Sequence, residues 1–443
     1  MNTIAIVLVV GLILFTIALS IFSRRFTRTT ADFYLAGRKV GSFSNASAIS
    51  GDYLSAASFL GVAGAVYASG LDGVWYAAGF AGGFMVVVLF IASALRRFGE
   101  YTVADFAFGR FGSNRIRLIT VLAVLLTSLF YMAPQMFGAG TTWQVLVGKG
   151  IFGLDPYTSG VVVVTAIMAF YVGVGGMKGT TLNQIFQFWW LWFAMFLVVI
   201  FAFGSGFSYP AALKDASSAP IVNTKQLTVA ELTTENAAGV TPLEQAEEIM
   251  TAEEFATVEE FVDSNAEGKI PVALPSVNKL HELKDQLFAE PGHRYNAFDQ
   301  FSMVLALVLG TAGLPHILNR YYTNPSGSAA RRSTFWVLVF IGTFYILAPI
   351  AGLAGIGFIK DYIANGGTLA APTVHGLLVK PDQVMPTLAT ILGGQWLMGI
   401  VSAGAFAAMF STVGGLLIAA ASAIGHDVYE KYVNPNATEA KRV

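Results

Sequence analysis

None of the 443 residues is cysteine, which removes any disulfide framework and any thiolate metal site. Charge is scarce as well. Asp, Glu, Lys and Arg make up 12% of the chain, against about 25% in soluble domains. The five histidines are scattered, so spacing points to no metal set. No nucleophile–base pair or carboxylate cluster suggests an enzyme or an organic cofactor. The composition also excludes nucleic-acid binding. What the chain does have is apolar surface: 55% hydrophobic residues, 46 glycines and a mean hydropathy of +0.63. This is the composition of an all-α polytopic membrane protein, embedded in lipid and built from apolar helices.

Hydrophobic runs predict about nine spans: 3–22, 43–69, 73–95, 116–145, 157–176, 180–206, 298–318, 333–358 and 395–424. The first run lacks a basic leader and a small-residue cleavage site, so it reads as a retained span. Of the 26 basic residues, 17 fall on one side of the predicted arrangement, Arg320 included, and only Lys149, Lys360 and Lys380 in the short loops opposite. The positive-inside rule then places the N-terminus outside and the C-terminus in the cytoplasm of a multi-pass cell-membrane protein. By this count every Lys and Arg lies in a loop. The organisation is residues 1–206, a polar insert at 207–297, a second helical block at 298–425 and a tail at 426–443. The insert carries six basic and 15 acidic residues. Thr241-Pro242-Leu243-Glu244 and Thr251-Ala252-Glu253-Glu254 read as capping boxes. Ile249, Phe255, Val258, Phe261 and Val262 read as the apolar stripe of a short helical pair. The insert is expected to be a solvated external decoration rather than a lid.

The most informative stretch is Gly51-Asp52-Tyr53-Leu54-Ser55-Ala56-Ala57-Ser58-Phe59-Leu60-Gly61, inside the second span. A carboxylate at that depth costs several kcal/mol, of order 3, without water, an ion or a partner. A glycine-flanked polar break in a span exposes backbone carbonyls to a cation. Small residues alone would read as a helix-packing seam; Asp52 turns the reading toward a site. In the seventh span, Gly310-Thr311-Ala312-Gly313-Leu314-Pro315-His316 predicts a second break, because proline removes a helical hydrogen bond. There His316 reads as a side chain bonded to a neighbouring helix, with a proton relay the lesser alternative. In the ninth, the adjacent hydroxyls of Ser411 and Thr412 and the carbonyl of Ala408 offer three oxygens to a hard cation.

Several stretches in sequence order carry a resemblance. They are Asp32-Phe33-Tyr34-Leu35-Ala36-Gly37-Arg38, the 51–61 segment, Tyr101-Thr102-Val103-Ala104-Asp105-Phe106 and Tyr131-Met132-Ala133-Pro134-Gln135. Two more follow: Gly175-Gly176-Met177-Lys178-Gly179-Thr180-Thr181, and Gly313-Leu314-Pro315-His316-Ile317-Leu318 with Arg320. In these the chain resembles the sodium/solute symporters, most closely their acetate and monocarboxylate permease branch. The resemblance implies an inverted-repeat transporter fold with broken helices (LeuT-like), each repeat of five helices. It implies a Na+ site at the carbonyls of Gly51, Leu54 and Ala408 and the hydroxyls of Ser411 and Thr412. It further implies substrate or coupling roles for Asp52, Tyr53, Ser55, Ser58, Gln135, Gly310 and Thr311.

Two departures from the family pattern qualify what is carried over. Where many relatives carry an aspartate in the sixth span, this chain has Gln184. Coupling to Na+ or to H+ therefore stays open, with Asp52 either balancing the cation or carrying a proton. Family members also continue for further spans beyond a segment like His426-Asp427-Val428-Tyr429-Glu430. The second repeat here is thus expected to be incomplete, with three core helices, as in a truncated product. The function these residues imply is cation-coupled symport of a small monocarboxylate such as acetate, propionate or pyruvate. The alternatives are symport of a neutral solute (an amino acid, sugar or urea) and a non-transporting sensor or inactive fragment.

Overall fold

A computed structural model describes residues 3–25, 29–98, 101–212, 222–235, 239–247, 250, 252–275, 296–369, 371, 373–374 and 377–436. Six helices among these residues are long and apolar enough to cross a membrane, or seven if one bent pair is counted as a span. All nine apolar runs are nevertheless present as helix, because two of the long helices hold parts of two predicted spans and a third adds a connecting helix to span nine. Ala57–Phe98 contains the second half of span two and all of span three. Pro156–Gly204 contains spans five and six, joined at a kink where Gly176 has φ +54°. Pro381–Val433 contains a connecting helix and span nine, kinked at Gly393 and Gly394. At Gly176 both the positive φ and the Phe33 ring, 2.8 Å from where a Cβ would stand, require glycine.

The second span breaks where its polar residues sit. Helix Ser42–Tyr53 stops, and after Leu54 and Ser55 the chain resumes as a wide turn, Ala57–Gly61, and then helix Val62–Ser69. The seventh span is the bent pair, Ala297–Ala312 and Pro315–Tyr321, at 44°. Its break falls at Gly313–Leu314, within the expected Gly310–His316 stretch, while Gly310 and Thr311 lie in the last turns of the first half. The cause is local. Proline cannot donate to the carbonyl one turn earlier and disfavours α geometry at Leu314, which adopts ψ 115°. The last helix packs along Pro156–Gly204, and Ser42–Tyr53 lies between Pro156–Gly204 and Gly327–Ala364.

The insert has more order than a helical pair. Strand Val222–Leu227 pairs antiparallel with Ile270–Pro275, from Val222↔Pro275 to Leu227↔Ile270. Helices Val229–Thr233, Pro242–Glu247 and Ala252–Asp263 lie between the two strands in sequence. The Thr241/Glu244 capping box forms, and a second box forms at Thr228/Glu231. Thr251 and Ile249 lie outside the described residues. Val258 is buried, with Phe255, Phe261 and Val262 packed around it, and Val379 from the loop before span nine joins the same cluster.

At the end marked by most of the basic residues, helix Val103–Phe111 is tied to two other elements. Thr102 caps it by accepting from the Asp105 amide. Asp105 pairs with Arg117 at 3.1 Å and with His426 Nε2 at 2.9 Å, while His426 Nδ1 meets Glu430 at 3.0 Å. The Tyr322 hydroxyl donates to the Thr102 carbonyl at 3.2 Å. Asp105, His426 and Asp427 lie close enough to share an ion, a cluster that sequence spacing did not reveal. Both nitrogens of His426 are spent on carboxylates and Arg117 occupies Asp105, so the arrangement is an ion-pair latch. Burial alone would push the Asp105 carboxyl up, but His426 and Arg117 outweigh it and hold it below its ordinary value. Its stabilisation is therefore complete above the ordinary carboxylate pKa of about 4 and is lost as pH falls through the depressed value. Asp105→Asn should cost about 3 kcal/mol by leaving two buried cations underpaired. A lowered thermal unfolding temperature in detergent at neutral pH would show it; an unchanged one would mean that the latch bears no load.

Candidate functional site

The chain trajectory at the break follows from where its hydrogen bonds go. The Leu54 amide still bonds the Ser50 carbonyl, but the Ser55 amide, which a continuing helix would aim at the Gly51 carbonyl, bonds Tyr53 instead. The Ala56 amide, which would take the Asp52 carbonyl, donates to Gln135 Oε1 at 2.9 Å. The Ser58 amide bonds Ser55 rather than Leu54. The carbonyls of Gly51 and Leu54, which the resemblance implies as cation ligands, are thus left without helical partners.

Against this break lies the last helix. Thr412 Oγ1 donates to the freed Asp52 carbonyl at 2.7 Å, keeping lone pairs unspent. The Ser411 hydroxyl is fully buried and has no hydrogen-bond partner, and the Ser411 carbonyl accepts from Gln184 Nε2 at 2.8 Å. Ser411 Oγ would stand 3.1 Å from a Cβ at Gly51, so the two residues are neighbours across the helix contact. Helix Val384–Ser422 runs unbroken past Ala408, so that carbonyl reaches a cation only through its second lone pair. A buried hydroxyl with no partner costs about 1–3 kcal/mol, which a hard cation would relieve.

The expectation that every basic residue lies in a loop is corrected here. Arg320 is 1% exposed, and its Nε donates to Asp52 Oδ2 at 3.2 Å. Its Nη1 donates to Thr181 Oγ1 at 2.5 Å and its Nη2 to Gln184 Oε1. Treating the seventh span as one straight rod carries residue 320 out of the membrane. The bend at Gly313–Leu314 instead turns the second half across the core. Gln184 bridges Arg320 to the Ser411 backbone. Gly415 is glycine for a steric reason, since any Cβ there would run into the Asp52 carboxylate.

On the other side of the break is a cavity of about 390 Å³ lined by Tyr53, Phe80, Thr127, Tyr131, Gly310, Thr311 and neighbours from 306 to 314. Tyr53 bonds the Phe80 carbonyl at 3.0 Å and the Thr311 hydroxyl at 2.9 Å. Ser58 meets Tyr345 at 2.8 Å, and Tyr131 donates to Ser55 at 3.3 Å. Of the substrate candidates, Tyr53, Gly310 and Thr311 line the cavity. Ser55 meets the lining Tyr131, whereas Ser58 bonds Tyr345 and Gln135 the Ala56 amide, and Asp52 is turned to Arg320. His316 is 1% exposed and stacks on Tyr131 at 5.6 Å. Neither of its nitrogens has a hydrogen-bond partner, contrary to the expected bond to a neighbouring helix. The seventh-span break explains this, since it stacks the ring against the fourth span with no acceptor opposite.

The description "sodium:solute symporter family" belongs to the family model that matches residues 33–443. An uncharacterized symporter, YwcA, of Bacillus subtilis (strain 168) is 33% identical over all of this chain and 72% of its own length. A monocarboxylic acid transporter of Corynebacterium glutamicum is 33% identical over 94% of this chain and 65% of its own. The chain thus spans about two thirds to three quarters of these relatives. A Na+-coupled sialic acid symporter, solved in a substrate-bound outward-open state, superposes with a TM-score of 0.69 at 15% identity. It covers 99% of this chain and 77% of its own. That likeness establishes the fold.

The buried pair gives a direct prediction. Asp52→Asn or Arg320→Gln alone should each cost about 3–5 kcal/mol, because each strands a charge, whereas the double variant should recover most of that loss. Thermal unfolding of the four proteins in detergent measures the cycle. Simple additivity of the two losses would reject the pairing.

Proposed function

Because the chain belongs to the sodium:solute symporter family, we propose that it couples Na+ to the transport of a small monocarboxylate such as acetate, propionate or pyruvate. The observation that carries the coupling is the opposed pair of freed carbonyls on the second span and the unpartnered Ser411 hydroxyl on the last helix. Na+ is held by the carbonyls of Gly51, Leu54 and Ala408 and the hydroxyls of Ser411 and Thr412. Because these ligands come from two helices, a bound cation draws them together and favours one arrangement of the core. Solute in the neighbouring cavity favours the same arrangement through Tyr53 and Thr311. Alternating exposure of both sites to the two sides of the membrane then moves them together. Na+ is favoured over H+ because Asp52 Oδ2 is paired with Arg320 and Asp52 is not among the residues that line the cavity.

The similarity to a monocarboxylic acid transporter supports the solute class. A second reading, symport of a neutral solute, draws on the fact that the charge of Arg320 is already balanced by Asp52. In the proposed orientation the N-terminus and the 207–297 insert are outside and the tail after 425 is cytoplasmic, from the distribution of basic residues.

Proteoliposomes containing this chain, with sodium and pH gradients imposed separately at fixed membrane potential, test the proposal. Labelled acetate and pyruvate should accumulate with the sodium gradient. Replacing Ser411 and Thr412 together by alanine should raise the half-saturating sodium concentration about tenfold or more, for two lost ligand oxygens. Accumulation driven by pH alone, or sodium dependence unchanged in the double variant, would reject the sodium assignment.

A further inference from the structure

We infer that His316 receives the negative end of the transported solute, its imidazole N–H donating to a carboxylate at the wall shared with Tyr131. This deepens the monocarboxylate reading above and rests on it. A buried imidazole with two unpartnered nitrogens is unfinished chemistry. The ring stacks on Tyr131, which lines the cavity together with Gly313 and Leu314, the residues immediately before the short helix that carries His316. Tyr131 in turn holds Ser55 of the broken second span. His316 is not itself among the lining residues, so in this proposal the solute meets it past the Tyr131 ring.

Two considerations make that group an anion. Arg320, four residues further along the same short helix, directs its Nε, Nη1 and Nη2 to Asp52, Thr181 and Gln184. Its charge is balanced by Asp52 and its nitrogens are directed to those partners, which leaves the imidazole as an unpartnered donor on the same short helix. A carboxylate also needs several donors. The imidazole supplies one, and the hydroxyls of Tyr53 and Thr311, at present bonded to each other, supply others by turning to the ligand. A neutral solute would leave the same imidazole without the charge-assisted bond that makes a carboxylate selective.

Uptake by the wild-type chain, His316→Gln and His316→Leu in proteoliposomes separates the possibilities. His316→Leu should raise the half-saturating concentration of acetate and pyruvate about tenfold or more. His316→Gln, which keeps a donor, should raise it less, and sodium half-saturation should stay within about twofold in both. Wild-type carboxylate half-saturation in His316→Leu, with sodium-driven uptake intact, would overturn the role of His316 and leave the transport reading standing. Should the leucine variant fail to fold, competition on the wild-type chain decides. Acetamide, the neutral analogue, should compete far more weakly than unlabelled acetate, and equal competition would overturn the inference. Sodium-driven uptake of a neutral solute with no uptake of either acid would instead remove the monocarboxylate reading itself, and this inference with it.

Discussion

The pair between Asp52 and Arg320 is the constraint around which the rest of the core is arranged. Each charge alone at this depth would be costly, and together they hold only because geometry and additional hydrogen bonds satisfy the guanidinium. Its three nitrogens reach three residues on two elements, the broken second span through Asp52 and the sixth span through Thr181 and Gln184, from a base on the second half of the seventh. The demand propagates further. Gly415 has to lack a side chain so that the last helix can approach the carboxylate. The Asp52 carbonyl, on the same residue, is held by Thr412. Asp52 thus ties both its side chain and its backbone into the break at which the carbonyls of Gly51 and Leu54 are freed, and the Gln184 amide links its partner Arg320 to the last helix.

Two kinds of signal explain what the sequence disclosed. Apolar runs and their polar interruptions are local, so the nine spans, the break after Tyr53 and the Ser411-Thr412 pair were legible one stretch at a time. Arg320 was misplaced because hydropathy treats a span as a rod, and a proline-directed turn of 44° changes which residues lie at depth. The latch joining Asp105 to His426 spans 321 positions, and no spacing rule operates over that distance. The strands of the insert were missed for a related reason. Each is six residues long, and its partner lies beyond three intervening helices.

These features divide the core between fixed and adaptable contacts. The pair at Asp52 and the latch at Asp105 are ion pairs buried on both sides, expensive to break and therefore suited to holding elements in one relation. The contacts around the cavity are different: single hydroxyl-to-hydroxyl or hydroxyl-to-carbonyl bonds among Tyr53, Thr311, Ser58, Tyr345, Tyr131 and Ser55. Such bonds exchange partners at small net cost. A solute entering there has hydroxyls to recruit without disturbing the charges that maintain the break.

That division bears on how cation and solute sense one another. Tyr53 and Leu54 are consecutive, and the cavity side of the break bears the hydroxyl while the opposite side presents the freed carbonyl. A movement of the Tyr53 ring toward a solute pulls on the same two non-helical residues whose backbone would face the cation. In the proposed symporter, with Asp52 anchored to Arg320 and its carbonyl to Thr412, such a pull would act on Leu54 and Ser55. Coupling of this kind needs no conduit of side chains between the two sites, only a short unwound segment clamped at one end.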